Sequence, residues 1–172
     1  MEIIRLTGEQ ALARMAELTE IYRAAFAGPP WNEDGHGVAD FARRLATDAH
    51  RAGFVAVLAA EDSKPAGFGT AWPTPRPFPA GRAYNRVRAA LGEQVDTLLV
   101  GALEIDELAV SPASRGQGLA GRILEELRAD ADECWLLTAP KAHDAIRVYE
   151  RLGWRRLTGP AADVVVFTHG TR

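Results

Sequence analysis

The stretch Glu107-Leu-Ala-Val-Ser-Pro-Ala-Ser-Arg-Gly-Gln-Gly-Leu-Ala-Gly-Arg122 passes from a strand through a glycine-bearing loop into a helix. The strand ends near Val110, and the loop holds Arg115, Gly116 and Gly118. The helix then runs from Gln117 to Ala129, with Leu119, Ile123, Leu124 and Leu127 on its inward face. A helix start carries unpaired backbone amides and a partial positive charge. Glycines remove the side chains that would keep a phosphate from those amides. The arrangement suits an anion such as a pyrophosphate, and equally suits a plain tight turn between strand and helix. Its spacing matches neither a dinucleotide fingerprint nor a Walker loop.

Working outward, Gly101–Val110 reads as a central strand, Cys134–Thr138 as a short buried strand, and Ala142–Leu152 as a helix closed by Gly153. Val164–Phe167 forms a last strand. Toward the N-terminus, Glu2–Leu6 reads as a first strand, and Thr7-Gly-Glu-Gln10 as a capping box opening one helix that continues to about Phe26. A second helix carries Val38, Phe41, Leu45 and Ala49. Phe54–Ala60 and Ala66–Trp72 form a hairpin. A long connection follows, with proline at alternate positions from Pro73 to Pro79, then a helical face of Tyr84, Val87 and Leu91. The element order predicts a single α/β domain over residues 1–172, with a mixed sheet that is antiparallel in its N-terminal half and parallel in its C-terminal half.

Composition narrows the functions. The chain has 172 residues with a net charge of −3, 47% hydrophobic and 25% charged, as expected of a folded domain. With no basic run, nucleic acid is not an expected partner. No apolar stretch reaches the ~20 residues of a membrane span, so no membrane partner is expected either. The start Met1-Glu-Ile-Ile-Arg-Leu6 lacks the order of a secretion signal, giving a cytoplasmic expectation. The lone Cys134 and four scattered histidines predict no disulfide and no metal.

Two segments together resemble a known family. Arg115-Gly-Gln-Gly118-Leu-Ala120 resembles the Arg/Gln-x-x-Gly-x-Gly/Ala loop of the GNAT-type N-acetyltransferases, and Glu107-Leu-Ala-Val110 resembles the strand that enters it. Ala145-Ile-Arg-Val-Tyr149-Glu-Arg-Leu-Gly153-Trp154 resembles the family's Ala-x-x-x-Tyr-x-x-x-Gly-Phe/Trp helix. The resemblance implies a GNAT-like fold, splayed in its parallel half, and acetyl-coenzyme A as co-substrate. It implies that the backbone of Leu108, Ala109 and Val110 meets the pantetheine arm. The amides of Arg115, Gly116, Gln117, Gly118, Leu119 and Ala120 would then hold the pyrophosphate. Tyr149 matches the family's general acid, and a phenol, with a pKa of about 10, can donate such a proton. The residues alone allow Tyr149 to be a core aromatic. Where many members carry Asn, this chain has Ala142.

Acetyl transfer to an amine also needs a proton acceptor. Glu104 lies where some members place a base, and Asp106 shares its strand face, although strand-end carboxylates are often simply solvated. Trp31, Glu33 and Asp106 are candidate contacts to a cationic acceptor, with Trp31 equally readable as a packing anchor. The expected activity is transfer of an acetyl group to a primary amine of a small molecule or peptide, by direct attack in a ternary complex. The alternatives are a non-catalytic acyl-coenzyme A sensor and a homodimeric interaction protein built on the Pro73–Leu91 connection.

Overall fold

The structure is a computed structural model that describes residues 1–170. Its strands are β1 (Glu2–Leu6), β2 (Val55–Glu61), β3 (Lys64–Pro73), β4 (Leu103–Val110), β5 (Glu133–Thr138), β6 (Arg155–Arg156) and β7 (Val165–Gly170). Its helices are α1 (Gly8–Ala13), α2 (Met15–Phe26), α3 (Gly35–Asp48), α4 (Tyr84–Leu91), α5 (Gln94–Leu98), α6 (Leu119–Leu127) and α7 (His143–Arg151). The strands form one mixed sheet in the order β1-β2-β3-β4-β5-β7-β6. The chain divides into two compact units: Met1–Trp72 with Glu107–Ala129, and Pro73–Asp106 with the chain from Asp130 on.

In the first unit, β1 and β3 flank β2 in antiparallel register. The core joins Leu6, Leu18, Ile21, Tyr22, Phe41, Leu45, Leu58 and Phe68. The capping box at Thr7 forms as its sequence predicts: Gln10 N donates to Thr7 Oγ1 (3.2 Å) and Thr7 N to Gln10 Oε1 (2.9 Å). The expected continuous helix is broken at Arg14 (φ −107°, ψ 19°), where the chain leaves helical geometry between α1 and α2. The break lets Ala11 of α1 and Leu18, Ile21, Tyr22 and Ala25 of α2 all reach the interior.

Helix α6 buries Leu119, Ile123, Leu124 and Leu127, the four residues its periodicity picks out. Burial of each contributes roughly 1.5–3 kcal/mol over exposure. It lies low on β3, where two glycines make room. A Cβ on Gly69 would meet Leu127 Cδ1 at 2.7 Å, and one on Gly67 would meet Ala109 O at 2.9 Å and Ile123 Cδ1 at 3.0 Å.

In the second unit, Phe78, Tyr84, Val87, Leu91, Val95, Leu99, Trp135 and Val166 form a separate core. The expected helical face of Tyr84, Val87 and Leu91 is therefore the buried face of α4. Among the described residues, β4 and β5 pair in parallel, over Leu103–Cys134, Glu104–Trp135 and Ile105–Leu136. The last strand instead runs antiparallel to β5. After α7 the chain first forms β6, which pairs antiparallel with β7, and this added reversal turns β7 against β5.

Candidate active site

The loop between β4 and α6 is built by its own backbone. Ser111 N donates to Ala66 O (2.9 Å), which ends β4 beside the start of β3. A 3-10 turn over Pro112–Ser114 follows, and Arg115 is extended (φ −71°, ψ 161°). Gly116 (φ +77°) and Gly118 (φ +74°) then take left-handed conformations that a side chain would strain. An added Cβ at either would meet nothing within 4 Å, so the space over the loop is open.

The N-cap of α6 is Gly118, and no side chain caps the helix or adds a negative charge in its first turn. The other helix starts in this unit that carry an oxygen-bearing N-cap are closed. Thr7 caps α1, and Asp34 caps α3 by accepting from His36 N (3.0 Å) and Gly37 N (3.2 Å). The first amides of α6, including Leu119 and Ala120, lack intrahelical acceptors, as first-turn amides do, and can donate to an anion. This donor set fits a pyrophosphate. Of the strand expected to meet the pantetheine arm, Ala109 is buried while Leu108 and Val110 are half-buried. The Val110 carbonyl already accepts from Arg115 Nε (3.3 Å), and Arg115 Nη2 donates to Ala25 O (2.8 Å) near the end of α2.

Glu104 lies in the second unit and is 4% exposed. A buried carboxylate needs hydrogen-bond donors, and it has them: Thr74 Oγ1 donates to Oε2 (2.7 Å), and the Tyr84 hydroxyl donates to Oε1. Thr74 in turn accepts from Trp135 Nε1 (2.8 Å), the residue opposite Glu104 in the parallel register. Backbone bonds Thr74 N to Ala102 O and Gly101 N to Thr74 O, both 2.9 Å, fix Thr74 at the head of β4. Asp106 lies 3.7 Å from Arg82 Nη2, and Arg82 holds a left-handed φ of +47° just before α4. Sequence reasoning missed Thr74, Tyr84 and Trp135 as partners of Glu104. The usable signal was the need of a buried strand carboxylate for donors from the long connection beside it.

Tyr149 sits in the last turn of α7, 7% exposed, with its ring 5.5 Å from Phe167 and 6.1 Å from Trp154 between centroids. Ala142 is the N-cap of α7 and is buried, so this position offers no side-chain hydrogen bond.

Trp31 and Glu33 lie in the loop between α2 and α3. That loop is closed by Glu33 N donating to Phe26 O and Asn32 N donating to Gly28 O, both 2.9 Å. Trp31 packs edge-on against Phe26, with centroids 5.7 Å apart. The Glu33 carboxylate turns inward: Oε2 is buried without a hydrogen-bond partner, 2.6 Å from where a Cβ on Gly37 would stand. Beside it, Arg44 Nη2 meets Glu107 Oε1 at 3.0 Å. The Tyr22 phenol is pushed well above its ordinary range, by burial first, then by the Glu107 charge and its bond to Glu33, with Arg44 opposing. Tyr22 therefore stays protonated at any physiological pH.

The structure thus gathers the predicted residues into separate groups: Trp31 and Glu33 with the α2–α3 loop, Glu104 and Asp106 with the residues opening α4, and residues 115–120 around the α6 start. Among the described residues, no group of three or more His, Cys, Asp or Glu side chains could hold a metal ion. No helix among them is long and apolar enough to cross a membrane.

The family model described as "Acetyltransferase (GNAT) family" matches residues 15–154. No curated protein sequence matches the chain significantly. Solved structures do share its fold. The PaiA N-acetyltransferase of Thermoplasma acidophilum, solved in complex with coenzyme A, superposes with a TM-score of 0.67 at 13% identity, covering 99% of this chain and 100% of that one. An aminoglycoside 6'-acetyltransferase type Ii gives a TM-score of 0.65 at 15% identity, covering 99% and 97%. The ribosomal-protein-alanine N-acetyltransferase of Brucella melitensis gives 0.59 at 14% identity, covering 99% and 100%.

Proposed function

The chain belongs to the GNAT acetyltransferase family, and on that premise we propose that it transfers an acetyl group from acetyl-coenzyme A to a primary amine of a small molecule or peptide. The observation that carries this reading is the open, uncapped start of α6 behind Gly116 and Gly118. The amides of residues 115–120 would hold the pyrophosphate, and the backbone of residues 108–110 would orient the pantetheine. The bound coenzyme supplies an activated thioester. The residues then divide the work of a direct attack in a ternary complex. Trp31 and Asp106 are the contacts proposed for the amine, while the Glu33 carboxylate, turned inward toward Tyr22 and Gly37, is left out of this role. Glu104 takes its proton by way of the Tyr84 hydroxyl that donates to Oε1. Tyr149 gives its phenolic proton to the departing thiolate. No side chain is asked to carry the acyl group, and Cys134, buried in β5 with Sγ 3.6 Å from His169 O, is poorly placed to do so.

Calorimetric titration with acetyl-coenzyme A is expected to show saturable binding, and no heat at about 1 mM ligand would end the coenzyme reading. With an amine panel and a thiol-release assay, Tyr149→Phe is expected to lower turnover roughly hundredfold or more while coenzyme affinity holds. Unchanged turnover would remove Tyr149 from the reaction. Ala142 at the N-cap of α7, offering no side-chain contact, favours a second reading in which the chain senses acyl-coenzyme A without catalysis. Coenzyme binding with no thiol release across the panel would select it.

A further inference from the structure

We propose that Thr74 and Trp135 are positioning residues that reserve one oxygen of Glu104, Oε1 on the Tyr84 side, for the proton that leaves the amine. This deepens the reading above, in which Glu104 receives that proton through Tyr84, and rests on it. The reason lies in donor direction. An indole nitrogen donates and cannot accept. The bond between Trp135 Nε1 and Thr74 Oγ1 (2.8 Å) therefore has one possible sense, with Thr74 as acceptor. A hydroxyl has a single hydrogen, and at Thr74 it is left for Glu104 Oε2 at 2.7 Å. The backbone of Thr74 is held as well, since Thr74 N donates to Ala102 O and Gly101 N to Thr74 O, both 2.9 Å. Among the described residues, Glu104 and Trp135 are the two partners of this hydroxyl.

The two oxygens of Glu104 are thereby made unequal. A proton on Oε2 would turn Thr74 Oγ1 into the acceptor of both Trp135 and Glu104, and strand the Thr74 hydrogen in a buried place. Leaving a buried donor unsatisfied is destabilising. A proton on Oε1 strands nothing, because the Tyr84 bond can reverse. The Tyr84 hydroxyl donates to Oε1 when Glu104 is ionised and accepts from it when Glu104 is neutral. The step balances: the amine's N–H proton passes to the Tyr84 oxygen as the Tyr84 proton passes to Oε1. Tyr84 ends as it began, and Glu104 ends neutral. Trp135 cannot take a proton up, so along this chain of bonds the proton returns through Tyr84. The groups that face Glu104 are Tyr84 from α4, Trp135 from β5 and Thr74 ahead of β4. Of the charged residues, Asp106 shares its strand face, and Arg82 lies 3.7 Å from Asp106.

Carbon-detected NMR of the Glu104 carboxyl across pH, assigned by its loss in Glu104→Gln, tests this on the free protein. The pH profile of thiol release tests it in turnover. Thr74→Val keeps the volume and removes the hydroxyl. The ionised carboxylate then loses a donor, so its titration midpoint is expected to rise by about one pH unit, a roughly tenfold gain in proton affinity. The acid limb of kcat moves with it. Trp135→Phe moves both the same way by less, because the indole bond strengthens the Thr74 hydroxyl as a donor. Thr74→Ser returns both to their wild-type positions. A merely structural Thr74 would change stability, or turnover at every pH, and leave both midpoints in place, which overturns the proposal. In the wild type, where no variant has to fold, the Trp135 indole proton resonance is expected to shift with the Glu104 midpoint. An indole resonance indifferent to that midpoint overturns the proposal too. A carboxyl midpoint that moves in Thr74→Val while the acid limb of turnover stays in place shows that Glu104 is not the base. That result, or no thiol release from any amine, sinks the catalytic reading itself and the proposal with it.

Discussion

Helices α3 and α6 begin in opposite ways. The start of α3 is closed by the chain itself, with Asp34 Oδ1 accepting from His36 N and Gly37 N. The start of α6 has glycine at that position, in a left-handed conformation, with no side-chain cap and no acidic residue in the first turn. A cap is an easy gain for a helix, typically about 1 kcal/mol. Helix α6 forgoes that gain behind two left-handed glycines, at which an added Cβ would meet nothing within 4 Å. The difference teaches that an absent side-chain cap, which α2, α4, α5 and α7 share, is not distinctive by itself; α6 stands apart by the two left-handed glycines that precede it.

The comparison can be broken most severely by giving α6 what α3 has. Gly118→Asp places a carboxylate at a left-handed N-cap, where it strains the backbone and repels a pyrophosphate. Coenzyme A affinity measured by calorimetry is expected to fall at least about a hundredfold, equivalent to about 2.8 kcal/mol. Gly116→Ala is gentler, because the added Cβ meets no atom within 4 Å and only φ of +77° is penalised. The expected cost is about 1–2 kcal/mol, read as a loss of roughly five- to thirtyfold in affinity. Thr7→Ala opens a closed start elsewhere. It is expected to cost about 1 kcal/mol in denaturant unfolding with coenzyme affinity unchanged.

The smallest effect is a pH dependence. The bond from the backbone of Gly37 first, opposed by desolvation and then aided by the bond from His36, holds the Asp34 carboxyl below its ordinary value of 3.8. A depressed folded pKa contributes stability above the unfolded value and loses it as pH falls through the folded one. The difference in thermal midpoint between wild type and Asp34→Ala should therefore be full at neutral pH and vanish on acidification below 3.8. A difference that persists there would mean that Asp34 acts by something other than its charge.

Much of the fold was legible because local patterns report local structure. The inward residues of α6, the buried face of α4 and the Thr7 capping box all follow from spacings of three or four residues. The reversed last strand was not legible, because its direction depends on the two-residue β6, too short to show a period. The break at Arg14 was hidden by apolar residues that keep helical spacing across it. At the candidate site, the loop was legible as a motif, whereas the partners of its side chains were not. Thr74 and Glu104 lie thirty residues apart in the chain, Arg44 and Glu107 sixty-three, and no periodicity joins them. Glu33 was expected to offer its carboxylate to an acceptor, and nothing local signals that it turns toward Tyr22 and Gly37.

The two glycines of β3 beneath α6 have a consequence for how that helix is seated. A methyl on Gly69 would press on Leu127 Cδ1 (2.7 Å) and Ile123 Cγ2 (3.0 Å), and one on Gly67 on the Ala109 carbonyl (2.9 Å) and Ile123 Cδ1 (3.0 Å). The two positions therefore share Ile123, in the middle of the helix, as the side chain that a methyl at either would displace. Hydrogen at both lets the helix rest close on the strand, and a methyl at either would shift it without altering any residue of the loop. The seat of the loop-to-helix turn is in this sense set from underneath, by the glycines of β3.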